Sequence, residues 1–187
     1  MKSKIFKIFA FVFIAQILLY ACCDDEFNVS ITSFEFTAKD NVDNDSAVVT
    51  NQDFYLQFRS IYQVDLISLI SKNSGLINTA NATSCYEEYN RVNLAESITL
   101  TANVPLFGIP AGSSLNDHVI VQFAFNTGNQ ITMNDLLLEV NASINDFDVF
   151  LRFDTAIPEM TTVNFTMTTV LDNQEILENT TTAITFE

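Results

Sequence analysis

Along most of the chain, apolar and polar residues alternate with a period of two, the pattern of strands with one buried face. Val29 to Thr37 alternates in this way, and Phe54, Leu56 and Phe58 share one face of the next run. Ile98 to Val104, Phe147 to Phe153 and Thr162 to Val170 repeat the theme, and residues 178–186 close the chain with it. His118 to Phe125 is apolar enough for a more buried strand. Thr, Val, Ile and Phe crowd these runs, as a half-buried pleated surface favours. The last two runs face each other across Leu171-Asp172-Asn173-Gln174. Asp and Asn tolerate left-handed backbone, so a β-hairpin is predicted there.

Two segments have helical spacing. From Asp65 onward, Leu66, Ile67, Leu69 and Ile70 fall on one helical stripe with Asp65 able to cap it, and a short strand is the competing reading. Thr132-Met-Asn-Asp135 before Leu136 resembles a capping box with Asp in place of Glu, opening one or two turns. Residues 40–46 and 73–83 read as polar loops. β runs separated by polar turns predict a mainly β chain: an antiparallel β-sandwich, immunoglobulin-like, with one or two short helices. A partly open barrel is the alternative.

The first residues break this pattern. Lys2, Lys4 and Lys7 precede an apolar run from Ile8 to Tyr20, interrupted by Gln16. Its length suits a signal peptide and falls short of a comfortable membrane span. Leu19-Tyr20-Ala21-Cys22 resembles the bacterial lipobox, with Tyr20 bulkier than usual. The resemblance implies cleavage before Cys22, diacylglycerol on its sulfur and an acyl chain on its amine, enough chains for stable anchoring. An ordinary secretory signal with a structural Cys22 is the plainer alternative. The acidic run that follows (Asp24, Asp25 and Glu26) resembles the surface-export signal of Bacteroidetes-type lipoproteins. The expected organisation is a signal peptide over 1–21, an acylated acidic tether over 22–28 and a single β-sandwich domain over 29–187.

Composition then narrows the choice of chemistry. The 187 residues carry 23 Asp+Glu against 8 Lys+Arg, a formal charge of −15. Loss of residues 1–21 removes three Lys and no acid, leaving five cations against 23 acids and a charge of −18. Nucleic acid is excluded as a partner, because phosphates need clustered Lys and Arg. The membrane is met through acyl chains, not through a basic patch. Export means an oxidising compartment. With Cys22 acylated, Cys23 and Cys85 remain, either as two free thiols or as a disulfide tying tether to domain. That disulfide would close a loop of about sixty residues, worth on the order of 4 kcal/mol.

A wider resemblance follows from short motifs in the middle of the chain: Ala82-Thr-Ser-Cys85, Glu96-Ser-Ile-Thr-Leu-Thr and Pro110-Ala-Gly-Ser-Ser-Leu-Asn-Asp117. With Phe150-Leu-Arg-Phe-Asp-Thr-Ala-Ile-Pro158 and the terminal hairpin, they resemble a Bacteroidetes-type surface lipoprotein family of unknown function. Asn173-Gln174 departs from it, standing where a turn Gly is expected. The resemblance implies export, lipidation and a β-rich domain, and carries over no catalytic residue. Read from the residues alone, Pro110 fixes φ, Gly112 suits positive φ, and Ser113 or Ser114 can cap a loop presenting Leu115, Asn116 and Asp117.

Catalytic sets are thin. His118 is the one imidazole, no Gly-x-Ser-x-Gly elbow occurs, and a Cys85–His118 pair competes poorly with a strand-edge role for His118. Glu87, Glu88 and Glu96 offer carboxylates without a distinguishing context, and the absence of Trp removes the usual sugar-stacking platform. Tyr86 and Tyr89 beside Glu87-Glu88 make a polar-aromatic surface or an ordinary turn. Asp40, Asp43 and Asp45 lack EF-hand spacing and read as a solvated loop. Asp45-Ser46-Ala47 and Asp154-Thr155-Ala156 look like O-glycosylation sites at Ser46 and Thr155. Sequons such as Asn28-Val-Ser and Asn179-Thr-Thr read as by-products of an Asn- and Thr-rich composition. No cofactor, metal or enzymatic activity is expected. The expected role is a lipid-anchored, outward-facing envelope protein with a binding or structural task and an unidentified protein or glycan partner. An accessory subunit of an outer-membrane uptake system is the alternative.

Overall fold

A computed structural model describes residues 25–40, 47–51, 54–68, 87–123 and 126–187. The chain is mainly β. Its strands are β1 (Asp25–Lys39), β2 (Val48–Val49), β3 (Tyr55–Ser68), β4 (Glu87–Arg91), β5 (Ala95–Ala102), β6 (Val119–Phe123), β7 (Asn126–Ile131), β8 (Phe147–Phe153), β9 (Thr162–Val163), β10 (Phe165–Leu171), β11 (Ile176–Thr180) and β12 (Ile184–Phe186). One helix, α1 (Met133–Ala142), lies between β7 and β8, and a 3-10 turn spans Asn116–His118. Among the described residues no helix is long and apolar enough to cross a membrane.

Two compact units divide the described residues. The smaller takes residues 25–29, 64–68 and 87–91, and the larger takes 30–63 and 92–187. In the smaller unit β4 pairs in parallel with the start of β1, from Asp25 opposite Glu87 to Val29 opposite Arg91. Phe27 stacks on Tyr89 with ring centroids 5.2 Å apart. In the larger unit one sheet runs β1-β3-β8-β6-β7, a second β11-β10-β5 and a third β2-β12-β9. The expected all-antiparallel pairing is corrected by two parallel pairs, β1 with β4 and β12 with β2, so the sheets are mixed.

One core takes alternate residues from strands of all three sheets in the larger unit. Phe54 lies at its centre, 4.9 Å from the Phe186 ring in an edge contact and 5.9 Å from Phe165. Period-two burial is cleanest in β10, where Phe165, Met167, Thr169 and Leu171 are inward. Strand β1 shows a phase slip. Val29 and Ile31 are buried, then Thr32 and Ser33 are both exposed, then Phe34, Phe36 and Ala38 are buried. An extra residue of this kind is what a β-bulge inserts, and it keeps Ile31 as well as Phe34, Phe36 and Ala38 in the core of the larger unit.

The helix follows its predicted cap. The Thr132 hydroxyl accepts from the Asp135 N–H (3.2 Å) and the Asp135 carboxylate accepts from the Thr132 N–H (2.9 Å), closing a capping box. Both Thr132 contacts, the backbone first, hold the Asp135 carboxyl below its ordinary range. Met133, Leu136 and Val140 are its buried stripe. The other helical expectation is corrected: Asp65 to Ser68 is the end of β3. Val64, Leu66 and Ile67 are 43%, 49% and 47% exposed there, so no helical stripe is buried, and β-branched Val64 and Ile67 suit extended backbone. Residues 69–72 lie outside the described residues.

Asparagine amides close the strand edges. Asn93, 6% exposed, accepts from the Ile31 N–H (2.8 Å) and donates to the Ile31 carbonyl (3.0 Å). Asn141 on α1 does the same for Ala95 (2.8 and 2.9 Å), and in the loop after β8 Asn51 does it for Ile157 (2.7 and 2.8 Å). Asn116 accepts from Leu100 N–H and donates to the Ile98 carbonyl, so β5 is lined on one edge by two side-chain amides. Each amide presents the donor and acceptor of a neighbouring peptide without being a strand.

Removing such a plug leaves two backbone groups unsatisfied. Asn93→Ala is therefore expected to lower unfolding stability by about 1–3 kcal/mol in urea titration. The buried Thr169 hydroxyl makes no hydrogen bond to a described residue, so the isosteric Thr169→Val is expected to leave stability unchanged or raise it. A neutral Asn93→Ala, or a Thr169→Val as damaging, contradicts this account of the edges.

Candidate functional site

The conformationally strained corner of the larger unit is built by a tight turn after β5. Leu106 and Ile109 exchange two backbone hydrogen bonds (3.1 and 2.7 Å), with Phe107 at φ 55° and Gly108 at φ 81° between them. Both central residues of such a turn need positive φ. Gly108 adopts it freely, whereas a bulky Phe107 does so at a cost of order 1–3 kcal/mol. Packing offsets that cost: the Phe107 ring lies 5.4 Å from Phe153 and 4.9 Å from the His118 ring.

The Pro110–Asp117 segment continues from this turn. Gly112 takes positive φ as expected (76°) and its N–H donates to the Ala102 carbonyl (2.8 Å). Ser114 Oγ accepts weakly from the Asn116 N–H (3.3 Å). The expected surface display is corrected. Leu115 is buried and Asn116 is turned onto β5, which leaves Asp117 as the exposed member. The loop is stitched to β5 because its own backbone groups and the strand edge satisfy each other.

His118 ends the 3-10 turn and enters β6. Its Nδ1 lies 3.2 Å from Asp154 Oδ1, and the Asp154 N–H donates to the His118 carbonyl (3.0 Å). The register explains the meeting: β6 and β8 are antiparallel with Val119 opposite Phe153, so the next residue outward on each strand is His118 and Asp154. Thr155 is exposed, and its hydroxyl donates to the same Asp154 oxygen (2.9 Å). That hydroxyl first, and His118 second, hold the Asp154 carboxyl below the usual range. A carboxylate on Nδ1 orients an imidazole as in acid–base relays. Among the described residues no nucleophile is hydrogen-bonded to His118. Beside the pair, a cleft of about 300 Å³ is lined by Asn51, Phe54, Arg152, Phe153, Thr155 and Ala156.

The remaining expected residues scatter. Glu87 and Glu88 are exposed on β4, a strand where a surface turn was the ordinary expectation. Tyr89 donates to Glu87 Oε2 (2.6 Å), a contact that raises the pKa of its phenol. Asp25 and Glu26 open β1, and Glu96 is exposed on β5. Cys22, Cys23, Asp24, Asp43, Asp45, Ser46, Cys85 and Tyr86 lie outside the described residues. Among the described residues no group of three or more His, Cys, Asp or Glu side chains could hold a metal ion. Asp154 and Arg152 escaped sequence reasoning as neighbours of His118 and the cleft. The only available signal was the register of β6 against β8.

Comparison of the chain with protein-family models, with curated proteins and with solved structures finds no match in any of the three.

The Asp154 carboxyl gives a direct readout of the corner. Because folding lowers its pKa, its contribution to stability is fully present above the ordinary aspartate value of about 3.9 and is lost as pH falls through the lowered folded value. Thr155→Val removes the main donor, so the Asp154 titration midpoint, followed by carboxyl NMR, should move up toward the ordinary value. A midpoint that does not move would show that the hydroxyl contact is absent in solution.

Proposed function

We propose that this chain is a non-enzymatic, lipid-anchored protein of the outer membrane, facing the cell exterior, with a binding or structural role. The observation that carries the reading is Leu19-Tyr20-Ala21-Cys22 behind a lysine-flanked apolar run. Acyl chains on Cys22 hold the protein, Asp24, Asp25 and Glu26 serve as the export signal, and the β domain does the displaying. The larger unit is read as a β-sandwich of immunoglobulin-like kind. What supports this is a core drawn from alternate residues of several sheets and the antiparallel β5-β10-β11 sheet. A Cys23–Cys85 disulfide and O-glycans on Ser46 and Thr155 belong to the same reading. Exposure of Thr155 supports the latter, and a glycan there would replace the hydrogen that the unmodified hydroxyl donates to Asp154.

A second reading makes the protein an accessory glycan- or protein-binding subunit of an outer-membrane uptake system. It is favoured by a polar-aromatic row on the solvent face of the larger unit's five-stranded sheet, with Phe150 between Gln57 and Gln122.

Metabolic labelling with palmitate tests the anchor. The label should appear on the wild-type protein and vanish in Cys22→Ala, and protease added to intact cells should shave the wild type from the surface. Label that survives Cys22→Ala, or none on the wild type, would falsify lipid anchoring at Cys22.

A further inference from the structure

The largest sheet of the larger unit buries one face through Leu56, Phe58, Val121, Val149 and Leu151. The residues between them point to the opposite face. There the register builds a cross-strand row: Gln57 opposite Phe150, Phe150 opposite Gln122, and Gln122 opposite Gln130. With strands about 4.8 Å apart, the row is roughly 14 Å long and perpendicular to the strands. Unlike the Asn plugs, the three Gln side chains make no hydrogen bond to any described residue. Each therefore keeps two donors and an acceptor free.

The row has a rigid support. Phe150 is half-buried, with its ring 4.7 Å from that of Tyr55, and Tyr55 is buried beneath Phe150 and the Arg152 guanidinium, which sits 5.5 Å from its ring centroid. Arg152 has no carboxylate at ion-pair distance among the described residues, and it also forms a wall of the adjoining cleft. On the far side of the row Arg59 is surrounded by Glu35, Asp146 and Asp148 at 3.7–3.9 Å, so its charge is more than offset.

These charges select the ligand class. A polyanion meets a chain of net charge −15 and an acid-rich flank, while only Arg152 attracts it. A polycation is drawn to the acid-rich flank around Arg59 and not to the row, which is uncharged and has Arg152 at its other edge. A neutral polyhydroxyl chain needs paired donors and acceptors along its length and one apolar surface against a ring, which is what the row supplies.

We propose that this sheet face binds a neutral, extended glycan lying across β3, β8, β6 and β7, its hydroxyls held by Gln57, Gln122, Gln130 and Arg152 and one sugar ring set against Phe150. The proposal deepens the glycan-binding reading above and does not depend on acylation of Cys22.

The test is affinity electrophoresis of the full chain in mild detergent, through native gels containing a mixed-linkage β-glucan, a starch-type α-glucan, xylan, mannan or polygalacturonate. Retardation by at least one of the four neutral polymers is expected, with none by polygalacturonate. Phe150→Ala and Gln122→Ala should each weaken it about tenfold, and the exposed Gln130→Ala, which disturbs no packing, should weaken it measurably. Glu159→Ala, outside the row, should leave it unchanged. Failure of all four neutral polymers, or retardation by polygalacturonate alone, overturns the proposal together with the glycan reading. Retardation by a neutral polymer that all three row variants leave intact overturns this face alone and leaves glycan binding standing.

Discussion

A strand at the edge of a sheet carries a row of peptide N–H and C=O groups that must be satisfied by something, and burial makes an unmet group costly. In this protein the partner is repeatedly an asparagine side chain. Asn93 meets Ile31, Asn141 meets Ala95, and Asn116 bridges Leu100 and Ile98, while Asn51 meets Ile157 in the loop after β8 in the same way. Asn103 and Asn164 add a further junction, where Asn103 accepts from the Asn164 N–H (2.8 Å) and Asn164 donates to the Thr181 carbonyl (2.9 Å). An amide ends a ladder where another strand would extend it. The fold can thus use short strands and several small sheets around one core, with the free edge of β5 satisfied by side chains.

The same economy is visible at the turns. With four Gly in the chain, some left-handed positions fall to other residues. Gln174 takes φ 68° in the β10–β11 hairpin, where Leu171 accepts from the Gln174 N–H and donates to the Glu175 carbonyl. That is a type I turn followed by a left-handed residue, so the strained position lies one residue beyond the Asp-Asn pair that marks the loop. Phe107 is the costlier case. Its ring against Phe153 and His118 binds the turn to the β6–β8 end, so the strain and the His118–Asp154 contact belong to one piece of packing.

What could be read in the sequence follows from how local each signal is. The β8 run from Phe147 to Phe153, the β10–β11 hairpin and the Thr132–Asp135 cap depend on a few adjacent residues, and all are found where alternation or spacing places them. The Asp65 stripe was misleading because Leu66-Ile67-Ser68 fits a helical face and a strand equally, and these residues form the end of β3 with Leu66 and Ile67 exposed. The β1 slip was marked only by the consecutive polar Thr32 and Ser33, which the general alternation of Val29 to Thr37 conceals. The Asn plugs were not. Residues 31 and 93, or 51 and 157, meet only once the whole sheet order exists, and composition alone makes those asparagines look like surface residues.

The solvent face of the largest sheet belongs to the same non-local class. Alternation predicts that Gln57, Gln122 and Phe150 face away from the core, but not that they stand side by side; that needs the registers of β3, β8 and β6 together. The core sets those registers, because a slip of one residue would turn Leu56, Leu151 and Val121 outward together. Burial on one face therefore dictates the order of side chains on the other. In a chain this acidic, an uncharged row with free amides is set apart from the charged flank around Arg59 by the pairing alone. Its identity as a surface is a consequence of packing on the opposite side of the sheet, which is why inspecting surface residues one at a time does not find it.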